Sequence, residues 1–158
     1  MLIDVAALHG VTMLPASYGI GSGDLADALR RQGTSLEAGD VVLVRTGRMS
    51  VWPAHEAFLL DEPGLTREGA EYLARAGAIV IGSDNVGLEQ HPSSDRENWQ
   101  PAHTFLLAEA GIPIVEVLNL EELAEARVYE FLFLGAALRL RGAIGSPLRP
   151  LAIPIAKR

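Results

Sequence analysis

The 158 residues contain no cysteine, which removes a disulfide scaffold, a thiolate zinc site and a cysteine nucleophile together. No apolar stretch reaches the ~20 uncharged residues that a membrane span needs. Tyr129–Leu140 comes nearest, but Glu130 and Arg139 lie within it. There is no Lys/Arg run, and the net charge is −7, so neither nucleic acid nor an anionic membrane is an expected partner. H-E-x-x-H and G-x-S-x-G are both absent, as are internal repeats and low-complexity segments. No signal-peptide pattern precedes the first strand-like segment, and the cytoplasm is the expected compartment.

What is present describes a folded α/β protein. Apolar residues make up 49% of the chain and charged ones 21%, a balance that supports a core and argues against disorder. The length fits one domain, 1–158. Leu2–Leu8 reads as a strand. Asp24 then reads as a helix N-cap, with Leu25, Ala28 and Leu29 at helical spacing and Gly33 as the stop. Val41–Thr46 is β-branched and bounded by glycines, hence a strand. Thr66 caps a second helix that carries Ala70 and Leu73 and ends at Gly77. Ala78–Gly82 is an apolar strand running into Ser83-Asp84-Asn85. A polar stretch, Val86–Pro101, precedes a helix over His103–Ala110. Ile112–Leu118 is a further strand, Asn119 and Glu122 form a capping box for a helix over Leu120–Ala126, and Tyr129–Leu140 is favoured as a strand. The order βαβαβαβαβ predicts a mostly parallel sheet. Ligands in such sheets bind beyond the carboxyl ends of the strands, which places Thr46, Ser83, Asp84, Asn85 and Glu116 near one rim.

Three residues invite chemistry. Asp84 ends an apolar strand and is either a turn-forming aspartate or part of a site. His103 opens a helix, where the dipole disfavours imidazolium. It is either a surface histidine or a neutral one suited to metal ligation or general-base work. Glu116 is a lone carboxylate in an apolar strand, on the same predicted face as Ile112, Ile114 and Leu118. Unpaired burial of such a group is costly, so it calls for an ion pair with Arg45, Arg139 or Arg141, or for a role as metal ligand or catalytic acid; the second is favoured. His9, His55 and His91 read as loop histidines. Gly19, Gly21 and Gly23 lack dinucleotide-binding spacing.

Several stretches together resemble the cyclase family, which includes bacterial kynurenine formamidase and isatin hydrolase. They are Gly39-Asp40-Val41-Val42-Leu43-Val44-Arg45-Thr46-Gly47, Pro63-Gly64-Leu65-Thr66, Gly82-Ser83-Asp84-Asn85, Pro101-Ala102-His103 with Leu106-Leu107, Gly111-Ile112-Pro113-Ile114-Val115-Glu116 with Leu118-Asn119-Leu120-Glu121-Glu122-Leu123, and Arg139-Leu140-Arg141-Gly142-Ala143 with Gly145-Ser146-Pro147. The resemblance implies a three-layer β/β/α swivelling domain and metal-dependent hydrolysis of an amide, formamide or cyclic imide. It makes His103 and Glu116 metal ligands, with His103 also moving the proton, and implies zinc or manganese as cofactor. The family's main metal motif, H-x-G-T-H-x-D-x-P, is absent. The chain thus resembles a C-terminal half, truncated or split, whose activity would need ligands from a complementary chain or another protomer. The high apolar fraction predicts a homo-oligomer. The alternative is a non-catalytic domain that keeps the fold and binds a small molecule or a partner.

Overall fold

The computed structural model describes residues 1–155; residues 156–158, the end of the expected 1–158 domain, lie outside the described residues. In chain order the elements are β1 (Leu2–Asp4), α1 (Val5–Leu8), β2 (Gly19–Ile20), α2 (Ser22–Gln32), β3 (Val41–Arg45), a 3-10 turn (Arg48–Val51), α3 (His55–Leu59), β4 (Gly64–Leu65), α4 (Arg67–Arg75), β5 (Val80–Ser83), α5 (Pro101–His103), a π-helical stretch (Thr104–Ala110), β6 (Ile114–Val115), α6 (Glu121–Glu125), β7 (Phe131–Leu134) and β8 (Leu151–Pro154). The order β1-β3-β5-β6 forms a central sheet, and every pairing in it is parallel. This is the α/β architecture with a parallel sheet that the alternating pattern predicts.

The sheet is apolar on both faces because its strands alternate between two cores. Ile3, Val42, Val44 and Ile81 face α2 and α4, where Leu25, Leu29, Ala70, Leu73 and Leu106 complete the larger core. Leu2 and Leu43 face the other way and meet Leu118, Leu120 and Phe131. Gly82 lies on that second face, where a Cβ would press on Leu118 and Leu43. Burying one such Leu or Ile contributes about 1.5–3 kcal/mol. The result is helices on one side of the sheet and α6 with the β7–β8 ribbon on the other.

Several boundaries differ from the sequence reading, each for a local reason. Leu2–Leu8 is a strand only to Asp4, whose carboxylate accepts from the Ala7 N–H and starts α1. Asp24 sits inside α2 rather than at its N-cap and accepts from the Gly21 N–H. Thr66 does cap α4, accepting from Gly69 N–H. Leu120, not Asn119, is the N-cap of α6, although Asn119 accepts from Glu121 N–H. The helix from His103 continues as π-helix. Tyr129 O accepts from Leu2 N–H at the sheet edge, but the chain then leaves the sheet. Phe131–Leu134 pairs antiparallel with Leu151–Pro154 instead, because the apolar tail supplies a partner strand.

Candidate functional site

The carboxyl ends of β3 and β5 meet at Asp84, which is fully buried. Its Oδ1 accepts from Thr46 N–H at 2.9 Å and Thr46 Oγ1 at 2.7 Å, and its Oδ2 accepts from Gly47 N–H at 2.8 Å and Arg48 N–H at 3.1 Å. Burial pushes its carboxyl upward, opposed by the Thr46 and Gly47 donors. Gly47 is needed here: its φ is +83°, and a Cβ would collide with the Thr12 carbonyl. Asp84 is therefore the anchor of the loop after β3. Ser83 is buried beside it, with Oγ 3.4 Å from Asp84 Oδ1. Asn85 donates through Nδ2 to the carbonyls of Pro63 and Glu89, while its buried Oδ1 has no partner among the described residues.

The second constellation runs from the interior to the surface. Glu89 is only 1% exposed. It accepts from Ala102 N–H and His103 N–H, each at 3.0 Å, and its Oε1 lies 2.6 Å from His103 Nδ1. Its position follows from a close approach: Leu65 of β4 bridges to Glu89, and a Cβ at Gly64 would strike the Glu89 backbone. On the far side of the ring, His103 Nε2 lies 3.3 Å from Glu116 Oε1. Glu116 is about a third exposed, at 33% of its side chain, because β6 has already ended at Val115. Pro113 offers no N–H, and Val117 has φ +58°. That left-handed residue switches the strand's parity, so Ile112 and Ile114 pack on the helix side while Leu118 joins the opposite core.

His103 thus lies between two carboxylates, and its pKa is raised to about 9 by its bonds to Glu116 and Glu89 against the opposing effect of burial. The helix dipole would favour a neutral imidazole, one of the two readings of His103, but α5 is three residues long, and two carboxylates outweigh so short a dipole. The ion pair with an arginine, the less favoured reading of Glu116, gives way to the contact with His103. Arg45 instead donates to Asp4 at 2.9 Å and to Glu121 at 2.6 Å.

The structure brings His103 and Glu116 within 3.3 Å of each other; Ser83, Asp84 and Asn85 form a separate, buried group. Sequence reasoning missed Glu89, which looked like one more polar residue of a loop. It also missed Glu62, a buried acid whose Oε2 accepts from Val86 and Gly87 N–H at 2.9 Å each and whose carboxyl burial pushes up. The only faint signal for Glu89 is the alternation Val86, Leu88 around it. His9 meets Asp24 and Tyr18, His55 stacks edge-on with Trp52, and His91 lies beside Trp99. A hollow of about 250 Å³ lined by Thr66, Arg67, Gln90, Asp95 and Pro101 includes Glu89 but neither His103 nor Glu116.

A catalytic zinc takes three protein donors. His103 and Glu116 converge as one nitrogen and one carboxylate, and among the described residues no group of three His, Asp or Glu is placed to hold a metal. These residues alone do not fit a complete metal site.

Comparison with known proteins identifies the family. The Cyclase family model, described as "Putative cyclase", matches residues 1–90. A solved structure described as a novel cyclase is 31% identical, aligned over 96% of this chain and 51% of its own, with a TM-score of 0.84. Isatin hydrolase A from Ralstonia solanacearum is 25% identical over 96% of this chain and 57% of its own, with a TM-score of 0.77. A predicted metal-dependent hydrolase from Bacillus stearothermophilus is 25% identical over 96% and 60%, with a TM-score of 0.66. The chain therefore spans about half to three-fifths of the length of these structures. No curated protein matches it significantly. Among the described residues no helix is long and apolar enough to cross a membrane. With more than half its residues matched by the family model and a 31% identical structure aligned over nearly all of it, the chain belongs to the cyclase family.

Proposed function

We propose that residues 1–158 act as one cyclase-like domain, the late half of a metal-dependent hydrolase that cleaves the C–N bond of a small amide, formamide or cyclic imide, as kynurenine formamidase and isatin hydrolase do. The observation that carries this reading is the line Glu89–His103–Glu116, a histidine held between a buried and a part-exposed carboxylate. Glu89 fixes the ring through Nδ1 and two backbone N–H groups, so the proton at Nε2 is the one free to move. With its pKa raised to about 9, His103 holds a proton at neutral pH. It suits the step in which a leaving nitrogen must be protonated as the C–N bond breaks. Glu116 is the carboxylate open to a divalent zinc or manganese ion, whose chemistry is to polarise the carbonyl and acidify water. Further ligands must come from another protomer or a complementary chain, because Glu116 supplies one carboxylate and His103 Nε2 can serve a metal only in its deprotonated form, when it no longer carries that proton. Self-association of the chain follows from the same incompleteness, and a cytoplasmic setting accords with its cysteine-free sequence.

A second reading is favoured by one observation: both ring nitrogens of His103 already face carboxylates. In that case the chain keeps the fold, binds a small molecule or a partner, and does no chemistry. Metal content by mass spectrometry on protein purified without chelator separates the two readings, with wild type beside Glu116→Ala and His103→Ala. Stoichiometric zinc or manganese lost in both variants, together with turnover of formamides or cyclic imides, supports the hydrolase. Metal-free protein in all three, with no turnover, supports the binding domain.

A further inference from the structure

Glu89 can hold His103 only if the loop that carries it is itself held. Residues 86–91 belong to no helix or strand. Leu88, wholly buried, has a φ of +56°. A residue with a side chain is strained in that left-handed region and stays there only where its surroundings fix it. Leu88 directly precedes Glu89, so its conformation sets the direction in which Glu89 leaves the loop.

The surroundings that fix it come from residues 62–65. Glu62 takes both ends of the loop. Its Oε2 accepts from Val86 N–H and Gly87 N–H at 2.9 Å each, and its carbonyl accepts from His91 N–H at 2.9 Å. Between these ends, Leu65 N–H donates to the Leu88 carbonyl at 3.1 Å, and the Leu65 carbonyl accepts from Gln90 N–H at 3.0 Å. Those backbone bonds would form with any side chain at position 62. The bonds to Val86 and Gly87 need an acceptor of that reach, and an acid only 3% exposed is costly to keep unless it is used.

We propose that Glu62 is a positioning residue for His103: by holding the Val86 and Gly87 N–H groups it fixes the loop that aims Glu89 at the His103 ring. It acts through Glu89 rather than on the ring itself. Both N–H groups go to one oxygen, so reach and not charge is the working property, and an amide oxygen in the same place serves as well. This inference rests on the reading of His103 as the working group of the site and adds a residue to it.

Proton NMR and amide hydrogen exchange on the full chain, freed of metal, test it. A ring proton shared with a carboxylate at 2.6 Å resonates far downfield, and His103→Ala assigns the signal by removing it. Glu62→Asp keeps the charge and shortens the reach, whereas Glu62→Gln removes the charge and keeps the reach. In Glu62→Asp the Val86 and Gly87 amides should exchange at least ~10-fold faster, and the downfield signal should be lost. Glu62→Gln should retain both the protection and the signal, a rescue that a general loss of structure cannot imitate. A signal that survives in Glu62→Asp, or Val86 and Gly87 amides that exchange no faster, would overturn the inference. So would loss of the signal in Glu62→Gln, which would make charge the coupling, or a wild type without the signal. The signal needs neither metal nor substrate, so it decides this inference even where metal and turnover assays reject the hydrolase reading.

Discussion

Two buried carboxylates lie near the carboxyl end of the sheet, and they do opposite things. Asp84 is enclosed by four donors from the loop after β3. Both of its oxygens hold its own chain in place, and it is fully buried. Glu89 is as well buried, but one of its oxygens grips a side chain, His103, whose other nitrogen reaches the part-exposed Glu116. The contrast separates an acid that builds the fold from one that positions a group facing outward. Burial alone does not mark a site; a hydrogen-bonded path from a buried charge to an accessible one does.

Substitutions should reproduce that contrast. The largest stability effect is expected for Asp84→Ala, which leaves four inward-pointing donors without an acceptor. At about 1–3 kcal/mol for each unsatisfied buried group, the loss is at least about 4 kcal/mol, enough to unfold a marginal domain. Urea denaturation would show it, and a loss below about 1 kcal/mol would remove Asp84 from its structural role. Glu89→Gln comes next, at about 2–3 kcal/mol. Glu89 accepts from Ala102 N–H and His103 N–H with different oxygens; Gln has one acceptor oxygen, so one N–H is left facing the amide NH2, and the charge opposite the ring is gone. Its signature is a changed pH profile. In the wild type His103 titrates higher folded than unfolded, so its contribution to stability is complete below about pH 6.5 and fades as the pH rises through about 9. Glu89→Gln should flatten that decline, and an unchanged profile would break the pairing. Glu116→Gln should cost least, within about 1 kcal/mol, because the carboxylate is part-exposed. It should nevertheless abolish metal uptake and turnover if the hydrolase reading holds. An equal loss of stability at Glu89 and Glu116 would erase the distinction between a positioning residue and an accessible one.

The sequence made the parallel sheet legible because Val41–Arg45 and Val80–Ser83 are short, apolar and bounded by turn residues. It pointed to His103 and Glu116 through the helix opening and the lone carboxylate, and the family resemblance drew them together. The reason it gave for Glu116 was different from the one observed. β6 ends at Val115 and the left-handed Val117 follows, so Glu116 avoids the deep burial that made it conspicuous. Glu89 and Glu62 stayed hidden because their burial is produced by contacts distant in sequence, at Gly64–Leu65 and at the Val86–Gly87 N–H groups. No periodicity of the polar loop records those approaches. The ribbon was half legible: the apolar run at Tyr129–Leu140 was visible, but its partner strand lies 17 residues beyond Leu134, starting at Leu151, and only the fold joins them.

The site turns on the protonation state of His103. An NMR titration of its ring resonances, assigned by comparison with His103→Ala, tests this most directly. A midpoint near pH 9 that falls in both Glu89→Gln and Glu116→Gln is the predicted result. A midpoint near the ordinary histidine value of about 6.5, unmoved by either substitution, would contradict it.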